Sequence, residues 1–398
     1  MPRKARQAED HTRAVLGTRD RLAQMAEVAK SFRDFRPRAE VIRNVEAVPT
    51  IFPWYDHVTG VGGHPIGRFT LLHGPSNEGK TEFALGVGAS FLRRAHFFGL
   101  VDAERTTTDA WVRSLMGEVA DHPGFSALPV GTYEQVRAGV RDFADRVAEA
   151  RARGKLHPDT SALVVVDSIR KLVPAKLWEE LAKATAADED AEKPKPRGRF
   201  GRKPPGGIDG IGGRAGQIKA AMNAAWVDEL IPLLADTRTA MIVITRETTD
   251  ANAEPWARDW HTGGGSALFY EASLDVRALR SWTRLPDKTV IGETHTLEIW
   301  KTKVAGKEEK VPSAKFHVSN GVDGRTPGFD LPRDLIEMGT EIGVVSKAGG
   351  RVRLGDLALG HGVEDALVTM DRDPDLLAEV ERAVREASER TWVASRRV

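Results

Sequence analysis

The chain contains no cysteine, which excludes disulfides, thiolate metal sites and cysteine nucleophiles together. No run of consecutive apolar residues approaches the roughly 18 that a membrane-spanning helix needs. Neither sign of charge is in excess. The 58 lysines and arginines face 57 acids, a formal net charge of +1, so any affinity for nucleic acid has to come from local patches. The start, Met1-Pro-Arg-Lys-Ala-Arg6, is basic but is followed by Gln-Ala-Glu-Asp instead of an apolar stretch, so neither export nor a membrane partner is expected and the expected location is cytoplasmic. At 398 residues with 41% hydrophobic and 29% charged residues, the chain is long enough for a sizeable core and for two or three domains.

The most informative segment runs from Gly74 through Pro75, Ser76, Asn77, Glu78, Gly79 and Lys80 to Thr81, the spacing G-x-x-x-x-G-K-[ST]. An apolar run precedes it and a helix-like run containing Glu82 follows, the context in which this spacing forms a phosphate-binding loop. Gly74 and Gly79 let the backbone wrap closely enough to aim N–H groups at β- and γ-phosphates. Lys80 adds a point charge, and the Thr81 hydroxyl is a natural Mg²⁺ ligand at a helix N-terminus whose dipole also favours an anion.

Along the chain, Val15, Leu22, Met25, Phe32 and Phe35 recur at near-helical spacing, which predicts an amphipathic helix over 11–36 that packs on its own domain or docks on a neighbouring subunit. A possible strand, 41–45, connects it to the core. From about 49 to 280, apolar strands (69–72, 97–101, 162–167, 240–245, 273–279) alternate with helices (81–94, 107–116, 133–152, 215–235). That alternation predicts an α/β fold with a mostly parallel sheet covered on both faces, binding phosphate at the carboxyl edge of the strands. Residues 182–213 turn from acidic to basic and end rich in glycine and proline, so a long mobile loop is expected there. A second irregular stretch, 247–265, carries Trp256, Trp260 and His261; no second metal ligand stands at ligand spacing from the histidine. After 290, two alternating runs around 296–303 and 314–318 predict an antiparallel hairpin. Residues 330–398 read as a small helical cap closing with a charged helix over 373–390.

Asp167 ends the apolar run before Ser168, where a carboxylate beside a phosphate loop ordinarily holds the Mg²⁺ shell, although it could also cap the following helix. Asp102 and Glu104 both close the run at Leu100-Val101. Either could orient or deprotonate an attacking water.

The order Gly60-Val-Gly-Gly-His-Pro-Ile-Gly-Arg68, the phosphate loop, Val101-Asp-Ala-Glu104, Val164-Val-Val-Asp-Ser168, Thr262-Gly-Gly-Gly-Ser-Ala-Leu-Phe-Tyr270 and Lys301-Thr-Lys303 resembles the bacterial RecA recombinase family over nearly the whole chain. The resemblance implies a RecA-type P-loop ATPase core over 49–328, an N-terminal docking helix and strand over 1–48, and a small α/β C-terminal domain over 329–398. It further implies ATP and Mg²⁺ as cofactors, Glu104 as the catalytic glutamate, Lys80 and Thr81 as phosphate and Mg²⁺ ligands, and Asp167 as the Walker B aspartate. Lys301 and Lys303 match the pair that reaches the γ-phosphate of an adjacent subunit. The implied activity is an ATP-dependent filament on single-stranded DNA serving recombination and repair, with 182–213 and 247–265 as the DNA-binding loops. The competing readings are an oligomeric ATPase that drives assembly or remodels a partner without strand exchange, and a ring helicase.

Three features depart from the family pattern. Arg246 stands where a neutral amide ordinarily senses the γ-phosphate, so a fixed charge replaces a neutral switch there. The second loop sets Glu247, Asp250, Glu254 and Asp259 against Arg258, and the helix after the first loop carries Asp228 and Glu229 where the family tends to be basic. The first loop, by contrast, is basic, which shifts the expected backbone contacts to Arg197, Arg199, Arg202, Lys203 and Arg214. Trp256 and Trp260 are suited either to stacking on bases or to closing the loop onto protein.

Overall fold

The computed structural model describes residues 23–27, 44–129, 131–179, 208–249, 260–263, 265–305 and 312–395. The chain forms two compact units, Met1–Val45 and Glu46–Val398. Residues 23–27 of the first are helical, inside the span expected from periodicity.

The second unit is an α/β fold built on a nine-stranded mixed sheet. Its parallel part consists of β3 (Phe69–His73), β4 (Phe97–Asp102), β5 (Phe125–Ala127), β6 (Ala162–Asp167), β7 (Thr239–Ile244) and the first residues of β10 (Leu274–Arg284), in the order β10-β3-β7-β6-β4-β5. Antiparallel pairing then extends the sheet from β10 to β11 (Val290–Thr302), β12 (Ser313–Ser319) and β13 (Gly328–Phe329), so the expected hairpin is present. A shorter pair, β1 (Ala47–Val48) with β2 (His64–Pro65), flanks the helix α1 (Pro53–Val58).

Alternation along the strands divides the core in two. Leu72, Leu163, Val165, Ile242 and Ile244 pack with Phe83, Leu85 and Phe91 of α2 (Lys80–Arg93). Leu71, Val164, Val166, Met241 and Val243 face the other way, against Tyr133 and Val136 of α4 (Tyr133–Ala152) and Trp226 and Leu230 of α5 (Ile208–Thr237). Burial on both faces is why these strands read as continuous apolar runs. Between α2 and α4 lies α3 (Asp109–Met116), capped by the Thr108 side chain.

Both irregular stretches are more ordered at their ends than the sequence predicts. Helix α5 starts at Ile208, inside the expected loop, and runs through Gly210, Gly212 and Gly213. Each glycine weakens a helix by about 1 kcal/mol relative to alanine, but elongating an already nucleated and packed helix adds a hydrogen bond per residue, and that wins here. In the second stretch, β8 (Glu247–Thr249) pairs with β9 (Trp260–Thr262) as an antiparallel ribbon, and α6 (Ser266–Glu271) follows. The tail forms α7 (Leu331–Glu341), a three-stranded antiparallel sheet of β14 (Val345–Ala348), β15 (Arg351–Leu354) and β16 (Leu357–His361), then α8 (Gly362–Arg372) and α9 (Pro374–Ser395). Leu335, Leu367, Val380 and Val384 share the α2-side core, and Arg385 reaches back to Asp56 at 2.8 Å and to the Thr50 carbonyl at 2.7 Å.

Candidate nucleotide site

The loop between β3 and α2 is shaped by close approaches that only glycine permits. Gly74 has φ +148°, and a Cβ there would lie 2.3 Å from the Ala278 carbonyl oxygen of β10; at Gly79, φ +78°, it would lie 2.1 Å from Nδ1 of His295. No side chain caps the start of α2, so its first N–H groups remain as donors at the loop.

Lys80 is buried, and its Nζ donates to the carbonyls of Gly74, at 3.2 Å, and Pro75. Burial pushes its pKa down, while Asp167 pulls the other way. The Thr81 hydroxyl donates to Asp167 at the end of β6. Burial raises the Asp167 carboxyl to about 6, with Glu104 and Asp102 adding to the rise and the Thr81 hydrogen bond opposing it.

Strand register brings the carboxylates together, because Asp102 of β4 stands directly beside Asp167 of β6. The chain then bends over β6, with the N–H groups of Ala103 and Glu104 directed at the Asp167 carbonyl, and this turn aims Glu104 into the cleft. Glu104 accepts from the Ser168 hydroxyl at 2.8 Å and from Arg246 Nη2 at 3.0 Å. Asp102 is engaged elsewhere: its oxygens accept the N–H groups of Arg105, at 2.8 Å, and Thr107, at 2.9 Å. The two acids that the sequence leaves level are thus distinct in space.

The resulting cleft, about 400 Å³, runs over the loop from Ser76 to Glu82 and is lined by Glu104, Asp167 and Arg246. Ser168, Thr106, Trp111, Ile244 and Arg280 line it as well, none of them singled out from the sequence. Ser168 is legible only as the neighbour of Asp167, and Arg280 lies too far along the chain for any motif to reveal it.

Lys301 and Lys303 do not join this cleft. Lys301 Nζ donates to the Phe269 carbonyl at 2.8 Å and to that of Tyr270, and Lys303 Nζ donates to the Glu271 carbonyl at 3.4 Å, so both hold the C-terminal end of α6.

Of the residues assigned to DNA, Arg197, Arg199, Arg202, Lys203, Trp256 and Arg258 lie outside the described residues, while Arg214 falls on the backbone of α5 and Trp260 opens β9. Two acids expected to oppose DNA are neutralised within the fold. Glu247 is buried against His73 at 2.7 Å and Arg277 at 2.8 Å, and Glu229 pairs with Arg137 and Arg141 of α4. Sequence counting treats them as free charges because their partners are distant in the chain.

No protein-family model matches the chain. It is 25% identical over 351 residues to Protein RecA of Symbiobacterium thermophilum, covering 86% of this chain and 83% of that protein. It is 27% identical over 355 residues to Protein RecA of Thermus thermophilus, covering 89% and 88%, and 24% identical over 360 residues to Protein RecA of Thermotoga neapolitana, covering 87% and 85%. The chain is thus similar over most of its length to proteins named RecA, and it sets a phosphate loop at the carboxyl edge of a parallel sheet.

Proposed function

We propose that this protein is a DNA-dependent ATPase that assembles with ATP on single-stranded DNA and serves recombination or repair. The observation that carries the reading is the placement of Glu104 on the cleft that the phosphate loop, Thr81 and Asp167 also line. The residues suit a Mg²⁺ nucleotide. Lys80 is a buried cation beside the loop, the first N–H groups of α2 carry no side-chain cap, and Thr81 and Asp167 bring two oxygen ligands together. Bound ATP and Mg²⁺ would supply the transferable phosphoryl group and the charge that offsets its oxygens.

The chain's own residues divide the remaining work. Lys80 holds the phosphates, Thr81 and Asp167 hold the metal, and Glu104 takes the proton of the attacking water on a carboxylate oxygen. Ser168 and Arg246 orient that carboxylate, and Arg246 contacts the γ-phosphate. Trp111, which lines the same cleft, would supply apolar surface for the base. Lys301 and Lys303 contact nucleotide bound by the adjacent subunit. In this reading residues 1–48 dock on a neighbour, 49–328 form the ATPase core and 329–398 the C-terminal domain. The basic tract Arg197, Arg199, Arg202 and Lys203, with Arg214, Trp256, Arg258 and Trp260, contacts single-stranded DNA. The internal pairing of Glu247 and Glu229 favours this, because it removes two charges that would repel phosphate.

The exposed Asp228, together with Asp250, Glu254 and Asp259, favours the second reading, an oligomeric ATPase that remodels a partner without strand exchange. No helix among the described residues is long and apolar enough to cross a membrane. Electron micrographs with an ATP analogue, with and without single-stranded DNA, test the proposal. Filaments formed on DNA support it, whereas absence of salt-dependent DNA binding shifts the function to the second reading.

A further inference from the structure

Beside the phosphate loop, but apart from Thr81 and Asp167, three side chains from distant parts of the chain converge. Glu82 lies in the first turn of α2, Glu293 and His295 on β11, and one ligand atom of each lies within 4.8 Å of the others. His295 Nε2 stands 3.2 Å from Glu293 Oε2 and 3.6 Å from Glu82 Oε2. The imidazole is 0% exposed and stacks on Phe316 with ring centroids 4.5 Å apart. Its Nδ1 faces the Glu78 carbonyl at 3.4 Å, and its buried Nε2 has no hydrogen-bond partner among the described residues.

That pattern needs an explanation. With the proton on Nδ1, where the carbonyl accepts it, Nε2 directs a lone pair toward two carboxylates, an arrangement that repels unless a proton or a metal cation lies among the three. Arg280 lies at one side of the cluster, where its Nη1 binds the other oxygen of Glu293, Oε1, at 3.1 Å and its charge opposes the rise of the Glu82 carboxyl. Metal–ligand bonds of about 2.0–2.2 Å place neighbouring ligand atoms about 3–3.5 Å apart, close to the 3.2 and 3.6 Å that separate Nε2 from the two carboxylate oxygens.

We propose that Glu82, Glu293 and His295 form a binding site for a divalent transition cation of the Zn²⁺ or Mn²⁺ class, separate from the Mg²⁺ that accompanies a nucleotide. One imidazole and two carboxylates suit these ions, and Mg²⁺ prefers a shell of oxygens. The ion joins the first turn of α2 to β11. Because His295 also abuts Gly79, it stiffens the phosphate loop before nucleotide arrives.

The test is equilibrium dialysis of the full-length, nucleotide-free protein against Zn²⁺, and separately Mn²⁺, with Mg²⁺ as the comparison. One equivalent of Zn²⁺ or Mn²⁺ should bind the parent and also Asp167→Asn, with affinity at least tenfold lower in His295→Ala and in Glu293→Gln. Because His295 is buried, Glu293→Gln, nearly equal in volume, keeps the test valid should His295→Ala fold poorly. Three results would overturn the proposal: no stoichiometric binding by the parent, binding unchanged in Glu293→Gln and Glu82→Gln, or binding lost only in Asp167→Asn. The first two would leave a proton-sharing cluster, and the last would return the ion to the nucleotide site. None of these outcomes depends on ATP hydrolysis or DNA binding.

Discussion

Lys80 supplies the only lysine or arginine charge within the loop Gly74 to Thr81, and among the described residues its hydrogen bonds go to two carbonyls. Lys80→Ala should therefore remove most ATP hydrolysis, since a phosphoryl group in transfer loses its loop-borne countercharge; steady-state turnover equal to the parent's would rule out the nucleotidase reading. The same scale separates Asp102 from Glu104. Backbone N–H groups occupy both oxygens of Asp102, whereas Glu104 lines the cleft. Glu104→Gln should keep ATP binding yet slow turnover by about a hundredfold or more, the scale of a missing general base, with Asp102→Asn much closer to the parent. The opposite ranking in single-turnover assays would move the role to Asp102.

At the scale of elements, α6 is met by two lysines, Lys301 in β11 and Lys303 just past its end. Lys301 and Lys303 hold the end of α6, a position from which each remains partly exposed. If they also contact nucleotide in a neighbouring subunit, Lys301→Ala combined with Lys303→Ala should leave a folded protein whose hydrolysis no longer rises with protein concentration. Unchanged ATP-dependent assembly in sedimentation would refute that. A second element-scale consequence concerns β2. His64 is buried beside Tyr55, whose hydroxyl lies 2.9 Å from its Nδ1, and desolvation lowers its pKa from 6.5 to about 3. Below pH 6.5 the unfolded chain binds a proton at His64 that the folded chain refuses, so this histidine makes stability fall as pH falls toward 3. His64→Gln should abolish that contribution. In denaturant titrations, its stability relative to the parent should improve by up to about 1.4 kcal/mol per pH unit between about pH 6 and 4. A pH-independent difference would show that His64 does not titrate this way.

For the whole molecule, DNA affinity is decided by a balance of charge that the net value of +1 conceals. With Glu229 and Glu247 paired internally, backbone binding should depend on the basic tract. Replacing Arg197, Arg199, Arg202 and Lys203 by alanine should weaken single-stranded DNA binding and flatten its salt dependence, by a slope of roughly 0.7 for each phosphate no longer neutralised. Hydrolysis without DNA should survive, since these residues lie outside the phosphate loop. A salt slope equal to the parent's would exclude the tract as the DNA-binding element.

Local signals decided a great deal. The G-x-x-x-x-G-K-T spacing, the apolar run ending at Asp167 and the alternation of strand and helix depend on neighbours in sequence, and all three are legible there because backbone conformation and burial period are local properties. The strands 69–72, 97–101 and 162–167 reappear within a residue or two of their expected ends. Short or weakly apolar elements were not legible: β5 has three residues, two of them exposed, and the glycines ahead of residue 214 conceal the start of α5. Tertiary structure alone decided what required chain-distant partners. It turned Asp102 toward its own loop and Glu104 toward the cleft, paired Glu229 with α4, buried Glu247 between His73 and Arg277, and set His295 against Gly79. A charge in sequence has a sign, but only folding fixes its distance to the opposite charge, and that distance determines whether it repels DNA, holds a helix or binds an ion.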